Sequence, residues 1–330
     1  MSLLESVGKE LLRRAGGASR NDHCTFETCD IEDSWFKYRP SITPNATFTL
    51  IFSISAIVFL IQGLRRRLFT GFMIAMVLGN IGEAIGYIGR IQMWGNPWKA
   101  TPFMMQICCL TFAPAFLAAG IYLLLARIVV TFGRDNSRIP PQWYPRIFIP
   151  CDILALILQS AGGALASADT GGDIGKDVMI AGLVFQVITL SAFLVLAGDF
   201  AFRTYKRVSQ YGAAALDPRH AQLRSSRRFH YFIAALSLST ICIFIRCVFR
   251  VAELAEGWDG PLMRNEGLFI GLEGVMIIIA VVVLNIFHPA SCFTEGYNSE
   301  ITVELKKPKG GHANAVSRWK LRSDSDSETA

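Results

Sequence analysis

Seven stretches of this 330-residue chain are long and apolar enough to cross a membrane. A membrane-spanning helix needs about 20 mainly apolar residues. Hydrophobic residues make up 52% of the chain and charged residues only 18%, so a water-soluble fold would expose too much apolar surface. The composition therefore excludes an ordinary cytosolic enzyme, a disordered chain and a nucleic-acid-binding domain. The predicted spans are approximately 45–64, 70–91, 102–126, 147–167, 178–202, 229–252 and 266–288.

Short connections between these stretches predict one domain. We expect an all-α integral membrane bundle of seven transmembrane helices over residues 45–288. An extracellular amino-terminal tail, 1–44, precedes it. A polar carboxyl-terminal tail, 289–330, follows it and is expected to be cytoplasmic and disordered.

The distribution of Lys and Arg predicts the orientation of the bundle, because basic residues collect on the cytoplasmic side. Twenty basic residues lie in the connections after the first, third and fifth stretches and in the carboxyl-terminal tail, whereas the three opposite connections carry one each. The sequence therefore predicts an external amino terminus. Six basic residues in the amino-terminal tail go against this rule, but four of them lie far from the first stretch.

Charged and amide side chains inside the apolar stretches are the candidate functional residues. Burying one charge costs about 2.5–3.5 kcal/mol on insertion scales, so each needs a reason. Residues three or four positions apart share a helix face, and several of these groups do so. The predicted substrate-binding residues are Glu83, Tyr87, Arg90, Gln106, Gln186, Arg246, Arg250, Glu253 and Glu273.

Two interpretations of this set stay open. The residues could line a pocket that opens toward the outer leaflet, where Glu83 and Glu273 act as counter-ions for a cationic headgroup and the arginines position those carboxylates or bind a phosphate. They could instead form an ion-pair network that holds the second, sixth and seventh helices together. Gly82 and Gly86 form a step of small residues that lets another helix approach closely.

Two other residues inside the spans have a distinct chemistry. Asp152 follows Pro150 in the fourth stretch, where its charge either complements the helix dipole or serves an inner gate or proton relay. Pro114 interrupts the third stretch and frees a backbone carbonyl.

The external side offers two further predictions. Cys24 and Cys29 lie in the amino-terminal tail, where they either form a disulfide or remain free. Trp94, Trp98 and Trp258 are predicted to lie in an aromatic belt at the outer membrane interface.

Enzyme signatures are missing from the chain. The segment 171–177 lacks the first glycine and the final Ser or Thr of a phosphate-binding loop, and no H-E-x-x-H or G-x-S-x-G pattern occurs. Of the five histidines only His230 and His288 lie near the bilayer, which is too few for a three-histidine zinc site. We therefore expect a protein that is not an enzyme, with no cofactor and no metal.

Several short motifs, taken in order, resemble one family. They are Tyr38-Arg39-Pro40 with Asn45, the run from Gly82 to Arg90, Gln106 through Ala113-Pro114-Ala115-Phe116 to Tyr122, Asp152 with Gln159 and Gly162-Gly163, Gly182 with Gln186, Arg246 through Arg250 to Glu253, Glu273, and His288-Pro289. Together they are similar to the fungal lipid-translocating exporters, the RTA-like seven-helix proteins, over about residues 38–290.

The resemblance implies a fungal membrane protein, often of the plasma membrane, whose relatives export sphingoid long-chain bases or confer resistance to toxic amphiphiles. It carries over no catalytic residue. We therefore expect a transporter for outward translocation or efflux of amphiphilic lipids, whose partners are a membrane lipid or amphiphile and the bilayer, and not nucleic acid. The alternative is a seven-helix receptor or a lipid-binding sensor.

Overall fold

The computed structural model describes residues 24–66, 69–166, 172–212, 216, 220–257 and 260–293. Seven long helices organise the described chain, each long and apolar enough to cross a membrane, and no strand occurs within those ranges. This confirms the predicted all-α seven-helix membrane bundle. The helices are α1 (Ile42–Arg66), α2 (Thr70–Gly95), α3 (Ala100–Phe132), α4 (Trp143–Ala166), α5 (Gly172–Tyr211), α6 (Arg227–Ala255) and α7, which runs through Glu266–Leu268, a π-helical part Phe269–Val275 and Met276–Ile286.

Two helices extend well beyond their predicted spans. At 1.5 Å per residue, the 33 residues of α3 reach about 50 Å and the 40 residues of α5 about 60 Å, against a hydrocarbon core of about 30 Å. The connection predicted at 203–228 is therefore helical in its first part. Helix α5 ends at Tyr211, and the next residue, Gly212, has a positive φ of 65°, a conformation in which glycine commonly terminates helices.

Helices α2 and α3 pack through the predicted small-residue step. A Cβ built on Gly86 would lie 2.6 Å from the Leu110 side chain of α3, and one on Gly82 would lie 3.2 Å from Ala113. Glycine is therefore needed here for close approach of the two helices, as the sequence predicted.

Helices α4 and α5 make a similar contact at Gly162. An added Cβ would lie 2.4 Å from the backbone nitrogen of Met179, whereas one on Gly163 meets no atom within 4 Å. We expect Gly162→Ala to destabilise the bundle by about 1–3 kcal/mol through overpacking, because backbone atoms cannot move aside as a side chain can. Gly163→Ala is the matched control and should be neutral. Thermal unfolding in detergent measures both, and equal melting temperatures for the two variants would contradict this account.

The ends of the bundle differ in chemistry. One end, called here the basic end, carries the connections rich in arginine. There Asp199 accepts from Arg138 at 2.9 Å and pairs at 2.8 Å with Arg203, which lies one turn further along α5. The other end, the amino end, carries residues 24–41, the connection between α2 and α3 and the start of α7.

Residues 24–41 form a folded cap on the amino end. The Cys24–Cys29 disulfide is present, so this alternative of the sequence analysis is confirmed. Trp35 Nε1 donates to the carbonyl of Trp98 at 3.0 Å, and Trp98 Nε1 donates to the carbonyl of Asp30 at 3.1 Å. Trp98 is 1% exposed, so its predicted place in an interfacial belt is wrong: the cap covers it. Trp258 lies outside the described residues, as do 1–23 and 294–330 of the two predicted tails.

Candidate functional site

Three charged side chains from three helices meet inside the bundle. Glu83 of α2, Arg246 of α6 and Glu273 of α7 are each no more than 1% exposed. Arg246 Nη2 donates to Glu273 Oε1 at 2.7 Å, and Arg246 interacts electrostatically with Glu83. We call Glu83, Arg246 and Glu273 the central cluster. Two of its three members are carboxylates, so its local charge is negative when all three are ionised.

A proline supplies another acceptor for Arg246. In an α-helix the carbonyl of Leu110 would accept from the N–H of residue 114, but that residue is Pro114 and has no N–H. The freed carbonyl of Leu110 accepts a hydrogen bond from Arg246 instead. The predicted role of Pro114, to free a backbone carbonyl, is thus seen in the structure together with the group that uses it.

Glu83 is the least compensated member of the cluster. Neither of its carboxylate oxygens accepts a hydrogen bond from any residue that the structure describes. Arg246 and Arg250 attract it, whereas Glu273 repels it. One turn further along α2, the buried Tyr87 hydroxyl lies within electrostatic range of both carboxylates but forms no hydrogen bond with a described residue. A buried carboxylate without a hydrogen-bond donor is costly, and such groups inside a membrane bundle commonly mark a path for a substrate or an ion.

Glu273 lies on an unusual part of α7. Residues Phe269–Val275 are π-helical, and short π-helical segments occur frequently at functional sites. The π-helical part of α7 packs closely against α1, since a Cβ built on Gly274 would lie 2.3 Å from the Phe48 ring. No pattern in the sequence predicts this local geometry.

A second ion pair lies one turn along α6 from Arg246. Arg250 Nη1 donates to Glu253 Oε2 at 2.6 Å, and both side chains are about 2% exposed. The two residues are three positions apart on one helix face, as predicted. This pair is internally compensated, in contrast to Glu83.

Arg90 connects the bundle to the cap. Its guanidinium lies 3.8 Å from the centroid of the Phe269 ring, donates to the Tyr38 hydroxyl and approaches Glu266 to 3.9 Å. Glu266 in turn accepts from the Ser41 backbone N–H at 2.7 Å and from its hydroxyl at 2.8 Å. Burial raises the pKa of the Tyr38 phenol above its usual value, although the Arg90 charge opposes the shift.

Sequence reasoning missed this use of Tyr38 and Glu266. Tyr38 appeared only as part of a family motif, and Glu266 only as the first residue of the seventh predicted span. Their contacts close the amino end above the buried charges. The predicted pocket is therefore not open toward that end in this structure, because the cap residues Phe36 and Tyr38 lie against Arg90.

The two predicted glutamines take separate positions. Gln106 is buried on α3, and its backbone lies against Gly89 of α2. Gln186 Oε1 accepts from Gln159 Nε2 at 3.0 Å, which joins α5 to α4. Gln186 thus contributes to the contact between α4 and α5, while the central cluster is built from α2, α6 and α7.

Asp152 faces another polar group in the interior. It is 3% exposed, and the Tyr122 hydroxyl of α3 faces its carboxylate without forming a well-directed hydrogen bond. Cys247, the neighbour of Arg246 on α6, lies within electrostatic range of both Asp152 and Glu273. Asp152 is therefore a second buried carboxylate in the neighbourhood of the central cluster.

The described ranges contain no group of three His, Cys, Asp or Glu side chains close enough to hold a metal ion. What the central cluster can do is electrostatic. A cation that reached Glu83 would meet a carboxylate not already committed to a donor, and the aromatic rings of Phe52 and Phe48 beside Tyr87 would surround its apolar part.

Comparison with known proteins identifies one family. A family model described as "RTA1 like protein" matches residues 76–296. A sphingoid long-chain base transporter of Saccharomyces cerevisiae is 35% identical over 290 residues, which cover 80% of this chain and 75% of that protein. Protoporphyrin uptake protein 1 of the same organism is 28% identical over 63% of this chain and 65% of its own length. No solved structure matches the chain.

Proposed function

We propose that this chain, which belongs to the RTA1-like family, is a multi-pass membrane transporter that moves an amphiphilic lipid with a cationic amine headgroup outward. A sphingoid long-chain base is such a lipid. The similarity to a protein named as a sphingoid long-chain base transporter over 80% of this chain supports the substrate class. Efflux of such molecules would also give resistance to toxic amphiphiles.

The single observation that carries the proposal is the buried carboxylate of Glu83, which accepts no hydrogen bond from any residue that the structure describes. An ammonium headgroup at this point would form a charge-assisted hydrogen bond with Glu83 and remove the cost of its isolation. Glu273 would assist while it holds Arg246 in place at 2.7 Å. Arg250 is a second cation near this point. Its pairing with Glu253 would neutralise it, so that it would not repel the headgroup.

The enclosure of the cluster supports a transport cycle with at least one more conformation. The closed amino end would have to open for release. Opening would break the polar contacts of Arg90 with Tyr38 and Glu266, and it would separate Phe36 of the cap from Phe103 of α3. With the amino terminus outside, as the arginine distribution predicts, this opening faces the exterior. We place the protein in the plasma membrane and assign it no catalytic role.

Asp152 is the proposed energy-coupling residue. It lies between the basic end and the central cluster, is buried, and faces the Tyr122 hydroxyl. A carboxylate in this setting can take up and release a proton during a conformational cycle, as in other proton-driven transporters.

The test is transbilayer movement of a fluorescent sphingoid base in liposomes that contain the purified full-length protein, with and without a proton gradient. We expect protein-dependent flux that the gradient accelerates. If the flux does not depend on the gradient, or if the gradient still accelerates flux in the Asp152→Asn protein, Asp152 is not a proton relay. Binding of the lipid without any flux would contradict transport and favour the receptor or sensor alternative, for which ligand-dependent signalling is the next assay.

A further inference from the structure

A cleft at the basic end is separate from the central cluster. It has a volume of about 240 Å³ and lies where the start of α2, the last third of α3 and the start of α4 come together. Its polar residues are Arg127, Gln142 and Arg146, and its apolar wall includes Phe72, Leu123 and Pro145. None of the residues that line the cleft is acidic.

The two arginines approach the cleft from different helices. Arg127 lies on α3, with its guanidinium 4.3 Å from the centroid of the Phe69 ring, which holds the charge at the rim of the apolar wall. Arg146 lies in the first turn of α4 and is exposed. A ligand in the cleft would therefore have one partly buried and one solvent-accessible guanidinium within reach.

The helix termini add to this positive potential. Helices α2 and α4 both begin at the cleft, and the first turn of a helix carries a partial positive charge. In α4 the N–H groups of Trp143 and Tyr144 already donate to carbonyls of the preceding turn, so this helix contributes through its dipole. The residue that precedes α2, Phe69, provides no side-chain hydrogen bond to cap it. The two helix starts and the two arginines together make the electrostatic potential in the cleft positive, which favours binding of an anion there.

The apolar wall determines which anion fits. Phe72, Leu123 and Ala126 continue the cleft into the apolar part of the bundle, in spans that cross the membrane. A soluble phosphate would gain nothing from this wall, whereas the glycerol and acyl region of a lipid would. Basic pockets between transmembrane helices are known to bind anionic lipid headgroups.

We propose that this cleft is a binding site for an anionic phospholipid of the surrounding membrane, with Arg127 and Arg146 holding its phosphate. The site is independent of the transported lipid: it takes a headgroup of opposite charge at the opposite end of the bundle. A lipid bound there would join α2, α3 and α4 at the membrane surface.

The experiment is native mass spectrometry of the full-length protein in neutral detergent, titrated with dioleoyl phosphatidic acid. We expect one tightly bound lipid, and an affinity loss of more than about tenfold in the Arg127→Gln, Arg146→Gln double variant. The matched control is Arg227→Gln with Arg228→Gln, which removes the same charge from exposed positions of the basic end outside the cleft. It should weaken binding by less than about threefold.

Three results would overturn the proposal. Equal losses in the two double variants would mean that only the general charge of this end attracts the lipid. Equal binding of dioleoyl phosphatidylcholine would mean that the cleft does not select for anionic headgroups. Displacement by an equal concentration of glycerol 3-phosphate would mean that the ligand is a soluble phosphate. Thermal unfolding of each variant, and the single change at the exposed Arg146, exclude misfolding as the cause of a loss.

Discussion

Glu83→Gln is expected to lower sphingoid-base flux by at least about tenfold while the bundle stays folded. The loss follows because the amide cannot balance the charge of an ammonium headgroup, and a charge-assisted hydrogen bond contributes about 1.5–3 kcal/mol. The fold should tolerate the change because Glu83 accepts no hydrogen bond from a described residue and is repelled by Glu273. Arg246 keeps Glu273 as its partner at 2.7 Å, so loss of the Glu83 charge leaves no buried cation unpaired.

Flux of the fluorescent base and thermal unfolding are to be measured on the same preparation. Glu256→Gln is the matched control, since Glu256 is exposed beyond the end of α6 and its acceptor role toward the Leu262 N–H at 3.1 Å can be kept by the amide. Normal flux in the Glu83→Gln protein would refute the counter-ion role. A large fall in its stability would instead identify the central cluster as a structural clasp.

Arg246→Met should have the largest effect on stability. It leaves two carboxylates, Glu83 and Glu273, buried without their shared cation, and it removes the donor to the Leu110 carbonyl that Pro114 has freed. Breaking a buried pair by removing one partner costs about 3–5 kcal/mol. This is a large part of the stability of a typical domain, so we expect little folded protein.

Rescue distinguishes a charge effect from a loss of packing. Adding Glu83→Gln and Glu273→Gln to Arg246→Met should restore a monodisperse, thermally stable protein, because no uncompensated charge remains, but should not restore flux. Arg264→Gln, at an exposed position of the amino end, is the control for loss of one positive charge. A stable Arg246→Met single variant, or a triple variant as unstable as the single one, would contradict the electrostatic account.

The central cluster shows how far sequence patterns reach. Spacing along α2 placed Glu83, Tyr87 and Arg90 on one face, and all three are buried in the structure. The spacing does not predict which arginine pairs with which carboxylate. Arg246 and Glu273 are 27 positions apart, and they meet only because of how α6 and α7 are rotated and how deep each lies in the bundle. For the same reason nothing in the sequence placed Gln186 beside Gln159.

The amino-acid sequence is enough to specify the seven helices, because each stretch is long enough to span the bilayer and a helix satisfies every backbone group in lipid. It also determined the close contact at Gly82 and Gly86, and the family. The tertiary structure alone decided that the cap seals the amino end, that Arg246 uses the Leu110 carbonyl, and that Glu83 is left without a donor. Helix formation depends on neighbours along the chain, whereas these contacts depend on how packed helices are rotated and displaced against one another.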